Sequence, residues 1–410
     1  DYNNKHNKND SENIDAKLND LPTDQRKAEK PLENEPSDPR KLILLKSLLS
    51  HGCTEDAFLI LNHLPKLTVL DDKIIKLTAR IFEYMLTELY SSYVYKSTAN
   101  FKAPSRIYSV KDDMLAQKPR LVLEQLSSNI QRTHLLNSKS VFYFREWFDG
   151  IPQISSIDEL FEKSHEFLGL IGFNFTKDTT VLFQLCRIAI NDLKKEDVNS
   201  DKSKKLENWI NYFRKFILPV IPLLGVDPTA VNQVFSLMRL FSFEKRYFMY
   251  NEMITKLSQD SLPLRIASNI AERDIRNVLK ALSIDTISKE ARKLANLVSS
   301  NPLATLIPII KQIENYDKVS ELVVHSTRYY NDFAYDVLQY VLLLRLTQNR
   351  SALQDDGINE SMWAQRLSIF IAELSGECPE MDLSNIIVFV IKKLHQGNPI
   401  ANSILKQLLS

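Results

Sequence analysis

Residues 301–327 read NPLATLIPIIKQIENYDKVSELVVHST, and this stretch decides the fold. Asn301 offers a side-chain acceptor to the free amides of a helix start. Pro302 follows at the first helical position, where its missing N–H costs nothing. Leu306, Ile309, Ile310 and Ile313 then recur at the three- and four-residue spacing of one helical face. Pro308 lies inside that run, so the helix is expected to bend there or to start late. Tyr316 and Asp317 close this helix and open another, with Asp317 as the expected cap and Val319, Leu322, Val323 and Ser326 along its face. Two helices joined this tightly form a hairpin.

The pattern continues towards the C-terminus. Asp355-Asp356-Gly357 reads as a turn, and Asn359 is expected to begin a helix bearing Trp363, Leu367, Phe370, Ile371 and Leu374. Punctuation recurs at Gly376, Pro379, Gly397 and Pro399. Successive antiparallel pairs stacked side by side give an all-α fold, an extended helical-hairpin solenoid of the HEAT type.

Upstream, Trp209, Phe213, Phe216 and Ile217 begin a helix that Pro219 and Pro222 must kink or end. The polar run Lys194–Lys205 reads as a surface loop after a helix over about 176–192. Ser156 and Glu159 have the spacing at which side chain and backbone cap each other before Leu160, Phe161, Phe167 and Leu168. Residues 97–118 read as loop and 72–95 as one long helix. His51-Gly52 separates two shorter helices, bearing Leu42, Leu45, Leu48 and Leu49 on one side and Ala57, Phe58, Leu61 and Leu64 on the other. Residues 1–39 are rich in Asn, Asp, Lys, Glu and Pro, and they hold too few apolar side chains to offset the entropy of ordering. They read as a disordered linker.

Composition narrows the function. Only 8 glycines occur in 410 residues, which nearly excludes phosphate-cradling loops and tight strand turns. The net charge of +1 hides ten acids against seven bases within residues 1–40. Neither part has the basic bias of an autonomous nucleic-acid-binding domain. Cys53, Cys186 and Cys378 are odd in number and far apart, which points to a reducing compartment. No apolar run reaches the ~18 residues of a membrane span, and no signal peptide opens the chain. Starting at Asp1, it reads as part of something larger.

No Walker or Gly-x-Ser-x-Gly pattern occurs, so no catalytic residue and no cofactor are expected. His51, Cys53 and His63 lack a fourth ligand for zinc, and a structural role is preferred. Asp71-Asp72, Asp112-Asp113 and Asp355-Asp356 are adjacent; on a helix they diverge by about 100° and serve better as caps or turns than as paired acids. Lys202, Lys204, Lys205, Lys392 and Lys393 are possible phosphate contacts, with a solvated face as the simpler reading. Tyr329, Tyr330, Tyr335 and Tyr340 could stack bases, but are expected to pack between helices with hydroxyls reaching the surface.

One ordered set of short signatures lies between Phe235 and Leu409: Arg246-Tyr247 with Tyr250, Asn301-Pro302, Tyr316-Asp317, Tyr335-Asp336-Val337-Leu338-Gln339-Tyr340, and Trp363 with Leu367 and Phe370. Together they resemble the middle region of the largest subunit of the THO complex, the nuclear assembly that couples transcription to mRNA packaging and export. The resemblance implies residues 40–232 as an N-terminal helical scaffold region and 233–410 as a helical-repeat domain similar to the middle domain of initiation factor 4G. It further implies a non-enzymatic nuclear scaffold that binds other THO subunits and a DEAD-box ATPase, with RNA contacted indirectly. Arg246, Tyr247, Tyr250, Asn301, Pro302, Tyr316, Asp317, Tyr335, Asp336 and Trp363 are then structural or partner-binding positions, with caps, core anchors and helix-pair contacts favoured. The alternative is a helical-repeat protein that binds RNA directly.

Overall fold

The computed structural model describes residues 39–64, 67, 71–95, 151–172, 176, 179–195, 202–225, 227–280, 287–348, 350–354, 359–379 and 381–409. Of the expected linker 1–39 all but Pro39, which begins a helix, lies outside them, as do the loop 97–118 with Asp112-Asp113 and the turn at Asp355-Asp356-Gly357. Within them the fold is all-α, and the sole β feature is an isolated bridge between Leu353 and Glu360.

Helices α1 (Pro39–His51) and α2 (Thr54–His63) are separated at Gly52, whose φ of 80° needs a residue without a Cβ. The single helix expected over 72–95 is instead α3 (Asp72–Met85), α4 (Thr87–Tyr90) and a π-turn, Ser91–Tyr95. Periodicity could not reveal the break: the Met85 carbonyl accepts the Ile154 N–H at 2.9 Å, a bond from a distant segment. Asp71 caps α3 through the Lys73 N–H at 2.8 Å and pairs with Lys46.

Ser156 caps α5 (Ile157–Ile171), accepting from the Glu159 N–H at 3.2 Å. The return bond reaches one residue further out than expected, with the Glu159 carboxylate accepting from the Ser155 N–H at 2.9 Å. Next come α6 (Thr179–Lys194) and α7 (Lys202–Tyr212), so the polar run expected as loop contributes to two helices. Lys205 is drawn inward because its ammonium lies 3.0 Å from the buried Asp192 carboxylate. Beyond Tyr212 the α-helix gives way to a π-turn, Phe213–Ile217, and a 3-10 turn, Leu218–Leu223, where Pro219 and Pro222 supply no N–H.

The remainder comprises α8 (Pro228–Met238), α9 (Phe243–Glu252), α10 (Leu262–Lys280), α11 (Ile287–Ser300), α12 (Pro302–Asn315), α13 (Asp317–Thr327), α14 (Asp332–Leu346), α15 (Met362–Glu377), α16 (Ser384–His395) and α17 (Pro399–Leu409). Helix α12 starts at Pro302 and runs through Pro308. An internal proline costs about 3 kcal/mol. The burial of Leu303, Leu306, Ile309, Ile310 and Ile313 against α10, α11, α14 and α15 outweighs it.

Each of α10, α11 and α12 packs on the next helix and the next but one, as a stack of hairpins requires. One apolar core extends from Leu45 to Ile404. The stack departs from a one-dimensional array at α8, which touches α6 but also α11 and α14. The division expected at 232/233 falls inside α8.

Candidate interaction site: a polar junction between α9, α14 and α16

Helix α9 presents Arg246, Tyr247 and Tyr250 at three- and four-residue spacing, on one face. Helix α14 presents Asp336 and Gln339 in the same way. The two sets meet. The Arg246 guanidinium clamps the Asp336 carboxylate with two bonds of 2.9 Å, and the Tyr250 hydroxyl donates to the same carboxylate at 2.6 Å. A further Arg246 N–H caps the Phe241 carbonyl at 2.8 Å. The Tyr247 hydroxyl donates to Gln339 Oε1 at 2.6 Å, and Asn385 at the start of α16 donates to that oxygen at 2.9 Å. The Gln339 amide donates in turn to the Asp382 carbonyl.

The Arg246 and Asp336 side chains are only 16% and 11% exposed. Burial works against the Arg246 charge, but the Asp336 carboxylate more than offsets it and raises the guanidinium pKa. Burial, reinforced by the adjacent carboxylate, pushes the Tyr250 hydroxyl well above its ordinary value.

A second network joins α12, α14 and α15. Buried Glu314 receives Arg345, and Arg350 with two bonds of 3.1 and 3.0 Å. Burial alone would raise the Glu314 carboxyl; the two guanidinium groups reverse this and hold it below its ordinary value. The Arg350 plane covers the Trp363 ring at 3.9 Å, and the indole N–H donates to the Ser351 carbonyl at 3.0 Å. Trp363 thus lies in the second turn-forming network and not in the first, on a helix that begins at Met362 and not at Asn359.

The remaining signature residues have simpler roles. Pro302 opens α12 as expected, whereas the Asn301 side chain makes no cap bond; its carbonyl instead accepts the Thr305 hydroxyl at 2.8 Å. Tyr316 occupies the N-cap position of α13, and Asp317 is one residue further in, at its first residue. The Tyr316 side chain is exposed.

The tyrosines correct an expectation. Tyr330, Tyr335 and Tyr340 are buried, and their hydroxyls stay inside. Tyr335 donates to the Thr327 carbonyl at 2.7 Å, Tyr330 pairs with Ser326 at 3.0 Å, and the buried Tyr340 hydroxyl makes no hydrogen bond. Burial pushes Tyr340 up to about 12. Of the four, only Tyr329 is exposed.

Among the candidate phosphate contacts, Lys205 is committed to Asp192 and Lys393 bonds Gln396 at 3.2 Å. Lys204 and Lys392 are exposed. His51 reaches the Ser47 carbonyl at 2.6 Å, and among the described residues no group of three or more His, Cys, Asp or Glu side chains could hold a metal ion. Cys186 is fully buried, and its thiol is pushed up to about 12. No described helix is long and apolar enough to cross a membrane.

Stacked helical hairpins locked by buried ion pairs define an all-α solenoid protein. The family model described as the THO complex subunit 2 N-terminus matches residues 1–292, and that described as transcription- and export-related complex subunit matches residues 294–368. THO complex subunit 2 of Saccharomyces cerevisiae is 49% identical over 360 residues, covering 88% of this chain and 22% of that protein. The Arabidopsis thaliana protein of the same name is 33% identical over 194 residues, 47% of this chain and 11% of its own length, and the Homo sapiens one 23% over 268 residues, 63% and 17%. The chain belongs to the THO complex subunit 2 family, named for a component of a multi-subunit complex. It spans about a fifth of the length of the yeast relative.

The likeness therefore reaches well upstream of Phe235, where the short signatures begin. The polar junction binds the two matched segments together: Arg246, Tyr247 and Tyr250 lie in the first, Asp336 and Gln339 in the second. What the sequence could not show was that residues 86 to 92 positions apart are partners. Complementary chemistry at matching helical spacing was the available signal.

Proposed function

We propose that this chain is a non-enzymatic scaffold of the nuclear THO complex, which assembles other THO subunits and recruits and stimulates a DEAD-box RNA helicase during co-transcriptional mRNP packaging and mRNA export. Residues 40–232 serve as the N-terminal scaffold region. Residues 233–410, read as similar to the middle domain of initiation factor 4G, grip the helicase and favour the closed or product-releasing arrangement of its lobes.

The observation that carries this reading is how the two kinds of side chain are distributed. The buried charged groups Asp192, Glu290, Glu314 and Arg345 are all ion-paired within the chain. Ile387, Val388 and Ile391 of α16, by contrast, stand exposed side by side on one helix. Internally committed charge suits a frame, and an outward apolar face suits a partner.

The test is a pull-down of the whole chain with the purified DEAD-box export ATPase, with ATP turnover followed in the presence of RNA. Binding with raised turnover is expected, and Ile387→Asp with Ile391→Asp should abolish it without loss of helicity by circular dichroism. A folded chain that neither binds nor stimulates the ATPase contradicts helicase recruitment. Tight, strongly salt-dependent binding to RNA alone would favour the direct-RNA alternative.

A further inference from the structure

Helix α10 is the longest of the described helices at 19 residues, yet it buries few of its apolar side chains. Leu262, Ile266 and Ile270 recur every fourth residue and are 58%, 50% and 45% exposed. They cover the first half of the outward arc. At about 100° per residue, Arg273, Arg276 and Lys280 continue that same arc through the second half.

Leu264 and Ile275 project to the opposite side and are buried. Isolated exposed apolar residues need no explanation. Three in register on one helix, running directly into three cations, form a surface with two chemistries. Glu272 and Asp274 are the only acids on α10, half-buried at its flanks, where they pair with Arg276 at 2.9 Å and Arg273 at 3.1 Å. The helix keeps a positive balance, because its four arginine and lysine residues, Arg265 included, exceed its two carboxylates.

We propose that this outward face of α10 docks an acidic amphipathic helix of another protein. Its apolar residues, at three- and four-residue spacing, would cover Leu262, Ile266 and Ile270. Its acidic end would lie along Arg273, Arg276 and Lys280. A nucleic acid would use the basic half alone and leave the apolar half in water, and a second copy of this face would set cations against cations in a parallel pairing. Charge complementarity therefore selects the acidic helix. The proposal rests on the scaffold reading and deepens it by naming one binding surface and the chemistry of its occupant.

The test places a photo-crosslinker at Ile266→p-benzoylphenylalanine, and separately at Arg276→p-benzoylphenylalanine, in the full-length protein purified within its complex. Lys204→p-benzoylphenylalanine is the control, and crosslinked peptides are mapped by mass spectrometry. Both α10 positions should capture the same segment of another protein, with net negative charge and helically spaced apolar residues. Arg273→Glu with Arg276→Glu should reduce that capture at least about tenfold while the protein stays in the complex. Capture of RNA, of a second copy or of a basic segment overturns the proposal, as does a yield no higher than the control. If those failures occur while the complex still co-purifies, only this surface falls; if no subunit co-purifies, the scaffold reading falls with it.

Discussion

Helices α3, α5 and α7 meet through rings, whereas α9, α12 and α14 add buried charge to their ring and apolar contacts. Phe167 of α5 contacts Phe58 with ring centroids at 4.3 Å and Phe82 at 5.5 Å, while Phe161 packs edge-on against Trp209 of α7 at 4.9 Å. In the C-terminal part, Arg246 seizes Asp336, and Glu314 gathers Arg345 and Arg350. Aromatic contacts reward area and tolerate rotation. A buried ion pair rewards one partner in one geometry, because either charge left alone is expensive. The difference teaches where register must be specified: α9 and α14 are separated by the whole excursion of α10–α13, and apolar faces alone would accept a slipped pairing.

The comparison breaks most visibly at Asp336. Asp336→Ala leaves the guanidinium of Arg246 buried without its anion and the Tyr250 hydroxyl without its acceptor, and should cost about 3–5 kcal/mol in urea unfolding of the chain. A loss under about 1 kcal/mol would mean that the junction relaxes into solvent. Phe167→Ala should cost about 3 kcal/mol, from lost contacts with Phe58 and Phe82, and the loss should be the same at low and high salt.

Acid sharpens the contrast. The folded-state pKa of Glu314 lies below its ordinary value of 4.5, so its contribution is present above 4.5 and disappears as pH falls through the depressed value. Glu314→Gln should flatten the acid limb of the stability curve, while Phe167→Ala should leave its slope unchanged. The smallest effect is expected one turn before the junction. Arg239 and Asp332 also form a 3.0 Å pair, but their side chains are 63% and 69% exposed, and Asp332→Ala should change stability by no more than about 1 kcal/mol.

Much of the helical frame was legible from periodicity, including the α12 start at Pro302, the Ser156 cap and the unwinding at Pro219 and Pro222. These features are local, set by residues within one turn of each other. Misreadings arose where a distant group intervened. The Ile154 amide breaks the helix at Leu86, and Asp192 pulls Lys205 into α7. The junction was half legible: its residues stood out as family signatures, but their pairing depends on how α10–α13 fold back. The tyrosine hydroxyls were misjudged for the same reason, since their acceptors, such as the Thr327 carbonyl, are backbone atoms presented by the fold.

A double-mutant cycle on Arg246→Ala and Asp336→Ala, followed by urea denaturation of the whole chain, tests the central claim that these two residues form an internal joint. Coupling of at least about 2 kcal/mol between the two sites is expected. Additivity within about 0.5 kcal/mol would contradict it and return both residues to the role of independent surface or partner contacts.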